Sequence, residues 1–220
     1  MTNSPKSNWL VVTGLLLLGA LPALPAGFIV SLLMQGEPHD FVRPIYTERP
    51  FPIAIHAVAG VVFWLAVPLQ FSARVRQNRP RLHRFLGRSA MLAALTLSLS
   101  SLWLLVVNPP VAGWIHRATL GVASVGALMA FALALWAVRK RDFVQHRAWA
   151  IRGAGFVYSA ATIGLVAIPI YLVYGEFPVW MAEVNRLIGL LVNLAFVEWL
   201  LRRKSRVQRR SRKNVYIGIQ

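Results

Sequence analysis

Four of the five histidines in this 220-residue chain stand near the N-terminal ends of four consecutive apolar runs: His56, His83, His116 and His146. Imidazole is the commonest metal-ligating side chain, and it ligates in its neutral form. Cysteine is absent, which rules out thiolate metal sites, disulfides and haem attached through a C-x-x-C-H motif. Any cofactor must then be held by histidine, carboxylate or packing. If successive runs cross a membrane in alternate directions, His56 and His116 share a depth near one face, and His83 and His146 share a depth near the other. Core side chains from helices that face each other across a bundle can converge on one cofactor. A haem iron with two axial imidazoles requires that arrangement and no covalent link to the protein. The spacing therefore predicts the four histidines as metal ligands to haem b, in one copy or two.

Other residues near these histidines suit the same chemistry. Arg84 and Arg88 follow His83, and Arg147 and Arg152 follow His146, where guanidinium can meet carboxylate in a bidentate fork. They are expected to bind the cofactor, although lipid phosphate and simple membrane topology would also use them. Gly60 lies one helical turn beyond His56 and Gly87 one turn beyond His83, which leaves side-chain-free space beside each ring; His116 has Leu120 at the equivalent place. Arg117, next to His116, is harder to assign to topology. It falls on the side of the membrane where basic residues are scarce, and an ionisable residue in that setting is a functional candidate.

The elements that must position these residues are legible in the hydropathy. The chain is 57% hydrophobic and divides into apolar runs long enough to cross a hydrocarbon core of roughly 30 Å, about 20 helical residues each. The expected fold is all-α: a six-span transmembrane helix bundle with an inner four-helix core formed by spans two to five. The spans cover about residues 9–34, 52–73, 80–107, 113–138, 142–174 and 180–201. They form one transmembrane domain, residues 1–201, followed by a basic tail, 202–220. Pro68 and Pro169 fall inside their runs and predict local kinks.

All 24 Lys and Arg residues except Arg43, Arg49, Arg117 and Arg186 fall on one side of this arrangement. The positive-inside rule then places both termini in the cytoplasm of a multi-pass protein of the bacterial inner membrane. The net charge of +17 is explained by this clustering at span ends, and nucleic acid is not an expected partner. Membrane lipids are: the tail "RRKSRVQRRSRK" suits an anionic lipid surface, and Trp9, Trp114, Trp180 and Trp199 sit where an interface favours an amphipathic ring. The first run ends in "ALPALPAG", which also fits the cleavage region of a signal peptide. Its apolar character continues through "GFIVSLLM", so a retained helix is expected.

Smaller groupings point to structure. His39 lies beside Glu37 and Asp40 in a loop that suits solvent, or a divalent cation. Glu183 and Arg186 are three apart and Glu198 and Arg202 four apart, spacings that allow pairing on one helix. Ser98, Ser100 and Ser101 are placed to bond helix to helix, with no base nearby to make a nucleophile of any of them.

With "HAVAG", "LHRFLGR" and "QHRAWAIR" in view, the chain resembles bacterial multi-spanning membrane proteins grouped as a domain of unknown function, over roughly residues 50–175. Its H-R-x-x-G-R and H-R-x-W-x-I-R elements carry that likeness. At the level of pattern it also resembles transmembrane electron carriers of the cytochrome b561 type. That resemblance implies two b haems, held by histidines on helices two and four and on helices three and five. It also implies an oxidoreductase moving electrons across or at the membrane, with a quinone or small molecule as donor. Two other classes stay open: a small transporter or membrane assembly factor without haem, and an enzyme acting on a lipid-borne substrate with His83 or His146 as general base.

Overall fold

The computed structural model describes residues 9–36, 42–108, 113–175 and 178–217, with side chains as far as residue 203. Among them the chain is all-α, in eight helices: α1 Trp9–Gln35, α2 Pro44–Glu48, α3 Pro50–Gln70, α4 Ala73–Asn78, α5 Pro80–Val107, α6 Trp114–Arg139, α7 Phe143–Tyr174 and α8 Val179–Ile217. Six of these, all but α2 and α4, are long and apolar enough to cross a membrane. Proline at the first helical position starts α2, α3 and α5, where its missing N–H leaves no bond unmade. Asp142 caps α7 by accepting from the Gln145 N–H at 3.0 Å, and Gly175 ends that helix in the left-handed conformation.

The ends differ from expectation in two places. Span two stops at Gln70, not Ala73, because Ser72 turns extended and its hydroxyl caps the separate short helix α4 through the Val75 N–H. Helix α8 does not stop near Leu201 but runs on to Ile217, since no Gly or Pro interrupts the Arg- and Lys-rich sequence before Gly218. Pro68 lies in the last turn of α3, and α7 continues past Pro169 to Tyr174.

The core is drawn from α3, α5, α6 and α7, the four spans expected to form it. Alanines dominate, among them Ala59, Ala66, Ala90, Ala94 and Ala161, and small residues let helix backbones approach closely where lipid offers no hydrophobic drive. Phe63 of α3 fills the centre, edge-on to Phe131 of α6 at 5.9 Å and tilted against Tyr158 of α7 at 6.0 Å. Helix α1 packs across α3 and α7 and is held by two donors: the Trp64 indole N–H bonds to the Leu16 carbonyl at 2.6 Å, and the Tyr158 hydroxyl to that of Leu15 at 3.3 Å. Gly19 is required at this crossing, because the Trp64 ring occupies the space a β-carbon would take. Helix α8 lies against α7 and α6, fixed by Asn185 on the Ile163 carbonyl, Asn193 on Thr162, and a bidentate pair between Arg152 and Glu198. The outer faces of the spans carry exposed Leu, Val, Phe and Trp, as a lipid boundary requires, and Trp9, Trp114, Trp180 and Trp199 are among them.

Candidate functional site

Helices α3, α6 and α8 begin at the sparsely charged end of the bundle, and α5 and α7 begin at the basic end. His56 is the seventh residue of α3 and His116 the third of α6. Both line one cavity of ≈ 370 Å³ at the sparsely charged end, so the structure brings together the first histidine pair that the spacing predicts. The last three turns of α5 and part of α7 supply further walls.

His56 is oriented by α5. Its Nδ1 lies 3.0 Å from the Ser100 hydroxyl, and that hydroxyl donates its only hydrogen to the Leu97 carbonyl at 3.1 Å. In that arrangement Ser100 accepts from His56, with the proton on Nδ1 and the lone pair on Nε2 free. A ring nitrogen fixed in this way is how proteins set the tautomer of a ligating histidine. The Nδ1 of His116 is buried with no partner. Ser101 of α5 and Ser124 of α6 bond to each other at 2.8 Å beside the same cavity, whereas Ser98 bonds back to its own helix.

Arginines complete the lining. Arg117 donates to the Leu105 carbonyl at 3.0 Å, Arg43 is the N-cap residue of α2 and lies over the Tyr46 ring, and Arg186 comes from α8. Arg43 Nη1 and Arg186 Nε are buried and unpaired, and so is Glu183 Oε1 beside the start of α6. The i, i+3 pairing of Glu183 with Arg186 is thus not made. A smaller cavity of ≈ 110 Å³ lies on the other side of His56, walled mainly by α1, α3 and α7 and lined by Gly60, Trp64 and Tyr158.

The basic end is built differently. His146 Nδ1 donates to the Ala134 carbonyl at 2.9 Å, which again frees Nε2, and His83 lies within its electrostatic reach with Nδ1 buried and unpaired. Neither cavity described above touches these two rings. The space left by Gly87 is taken by the Gln70 side chain, whereas Gly60 faces the smaller cavity. Arg84, Arg88 and Arg147 are exposed. Arg152 lies over Trp149 and is engaged by both carboxylate oxygens of Glu198, at 2.5 and 3.2 Å. Among the described residues no group of three or more His, Asp or Glu side chains converges, so a metal held here would need two imidazoles plus donors of its own macrocycle. His39, Glu37 and Asp40 lie outside the described residues.

Arg43, Tyr46, Glu183 and Arg186 escaped the reading of the sequence as site residues. One signal pointed to three of the lining residues. Of the four basic residues on the sparsely charged side, Arg43, Arg117 and Arg186 line the cavity and only Arg49 does not.

Six apolar spans packed around an alanine-rich core define an integral membrane protein. The chain belongs to the family described as predicted membrane protein (DUF2306), which matches residues 53–201. The matched region takes in five spans and all four paired histidines and leaves α1 outside it. Neither a curated protein nor a solved structure matches the chain.

Proposed function

We propose that the protein is a haem b electron carrier of the bacterial cytoplasmic membrane, with its haem held in the larger cavity by His56 and His116. One observation carries the reading: two imidazoles from alternate helices line a single void, and one of them has its tautomer fixed so that Nε2 is bare. The void lies within the range of small-molecule sites, about 300–1,000 Å³. The donor set fits the group, since the chain has no cysteine to compete for iron and both rings line a void with apolar and hydroxyl side chains for a macrocycle and arginines for its carboxylates. Haem, when bound, supplies reversible one-electron transfer tuned by its axial ligands and their hydrogen bonds. Ser100 orients the first ligand, and the packed α3, α5 and α6 keep the second at its depth.

The positive-inside rule supports an orientation with both termini cytoplasmic, so that this cavity faces outward. The apolar slot behind His56 gives a quinone-class donor an approach from the α1–α3 side. Full-length protein purified from haem-replete cells is expected to be red, with a Soret band that shifts on reduction with dithionite. The doubly substituted His56→Ala, His116→Ala protein is expected to lose that band while still folding. Colourless wild-type protein from such cells would overturn the reading in favour of a transporter or assembly role.

A further inference from the structure

We propose that the cavity at the sparsely charged end is a receptor for an oxyanion, a carboxylate or phosphate group, gripped by Arg43, Arg117 and Arg186. The inference does not rest on haem being the occupant. It follows from where these arginines are and what they lack.

Arginine at this end of the bundle works against the topology rule that explains nearly all the other basic residues of the chain, so topology gives no reason for it. Three of the four exceptions nevertheless come from separate elements, Arg43 from the N-cap of α2, Arg117 from α6 and Arg186 from α8, to line one void. Convergence of this kind needs a local cause. A buried guanidinium without a counter-charge is costly in a membrane-spanning protein, and such residues pair or mark a ligand path. Here the pairing is incomplete: Arg43 Nη1 and Arg186 Nε have no partner, and Glu183, the carboxylate at their border among the described residues, keeps an unpaired oxygen and does not bond to Arg186. Among the described residues no ion pair engages these three guanidiniums, which leaves positive charge facing the void.

The geometry of the donors selects the ligand class. Guanidinium presents a planar fork that matches the two oxygens of a carboxylate or phosphate, which an ammonium does not. Arg117 is held in place by the Leu105 carbonyl through one nitrogen and keeps its remaining donors. Hydroxyls of Tyr46 and Ser101 in the same lining add neutral donors for an oxyanion. The source of that group is a free small anion or an anionic lipid headgroup; the recognition chemistry is the same for both.

The test uses full-length protein in nanodiscs of zwitterionic lipid, with chloride as the background anion and thermal unfolding as the readout. Inorganic phosphate and succinate are titrated in one arm, and phosphatidylglycerol is added to the disc in another. Stabilisation beyond that given by equal chloride in the first arm identifies a soluble oxyanion, and stabilisation in the second alone identifies a headgroup. Arg186→Gln and Arg43→Gln are each expected to weaken the response at least about tenfold, whereas Arg49→Gln, at the same end but outside the void, leaves it unchanged. Should Arg186→Gln not fold, Arg186→Lys keeps the charge and loses the fork, and the same weakening is expected. The proposal is overturned if no oxyanion exceeds chloride in either arm, or if Arg49→Gln weakens the response as much as the lining substitutions. An optical spectrum of each sample separates the two readings: an oxyanion response without a Soret band ends the haem assignment alone, and a Soret band without that response ends this one alone.

Discussion

At the sparsely charged end His56 and His116 open onto a shared void with unpaired guanidiniums around it. At the basic end His83 and His146 are also close, yet Gln70 fills the space beside Gly87 and the nearby arginines are exposed or already paired. Both pairs come from alternate spans, and both contain one ring whose Nδ1 is bonded to a group on a neighbouring helix. Spacing and an oriented ring alone therefore do not make a site. Empty volume and buried guanidinium nitrogens without a partner distinguish the two ends, because a close-packed interior leaves neither without reason.

Replacing the histidines end by end attacks this comparison most directly. The His56→Ala, His116→Ala protein is expected to retain no haem above background, and the His83→Ala, His146→Ala protein the wild-type haem-to-protein ratio by pyridine haemochrome assay. A ratio that falls to about half in the second protein, as loss of one of two axial-ligand sets would give, breaks the comparison by assigning a second haem to the basic end.

A subtler change sharpens the account of the cavity. Ser100→Ala removes the acceptor that holds His56 Nδ1–H while leaving the ring itself, and losses of this kind lower metal affinity by about 10–100-fold. Haem retention during dilution and the reduction potential are both expected to shift, and Ser100→Thr, which keeps the hydroxyl, is expected to restore them. Unchanged potential and retention in Ser100→Ala would remove Ser100 from the site and with it the argument that His56 presents a bare Nε2.

Much of the frame was legible before any coordinates. Six apolar runs, the four-span core and the depth pairing of the histidines follow from hydropathy and spacing, and the structure bears out the spans and the core. Helix ends proved less legible at α3, where a capping serine decides the boundary, and at α8, where basic residues are good helix formers and do not end the helix when the apolar stretch stops. The sequence also names Arg117 as anomalous but cannot show that Arg43 and Arg186, which are 143 positions apart, meet it, since that depends on how α2 and α8 fold back over the start of α6. Gln70 filling the space at Gly87 is equally a tertiary event: small residues predict clearance, and only packing shows what takes it.

Arg152 marks the same boundary between local and tertiary pattern, and it yields the smallest effect expected here. In the sequence it belongs to H-R-x-W-x-I-R and stands as a cofactor ligand, while Glu198 looks committed to Arg202 on its own helix. In the fold both carboxylate oxygens of Glu198 are taken by Arg152 across the α7–α8 contact, with side-chain exposures of 27% and 39%. At that exposure a bidentate pair contributes about 1–2 kcal/mol, more than a fully solvated pair and less than a buried one. Arg152→Ala is accordingly expected to lower the unfolding temperature by a few degrees and to leave both the Soret band and the oxyanion response intact. Glu198→Gln should reproduce most of the loss, and the double variant should add little to either single change, as two ends of one interaction require. Loss of haem from a folded Arg152→Ala protein would instead return this arginine to the cofactor and bring the basic end back into contention as a site.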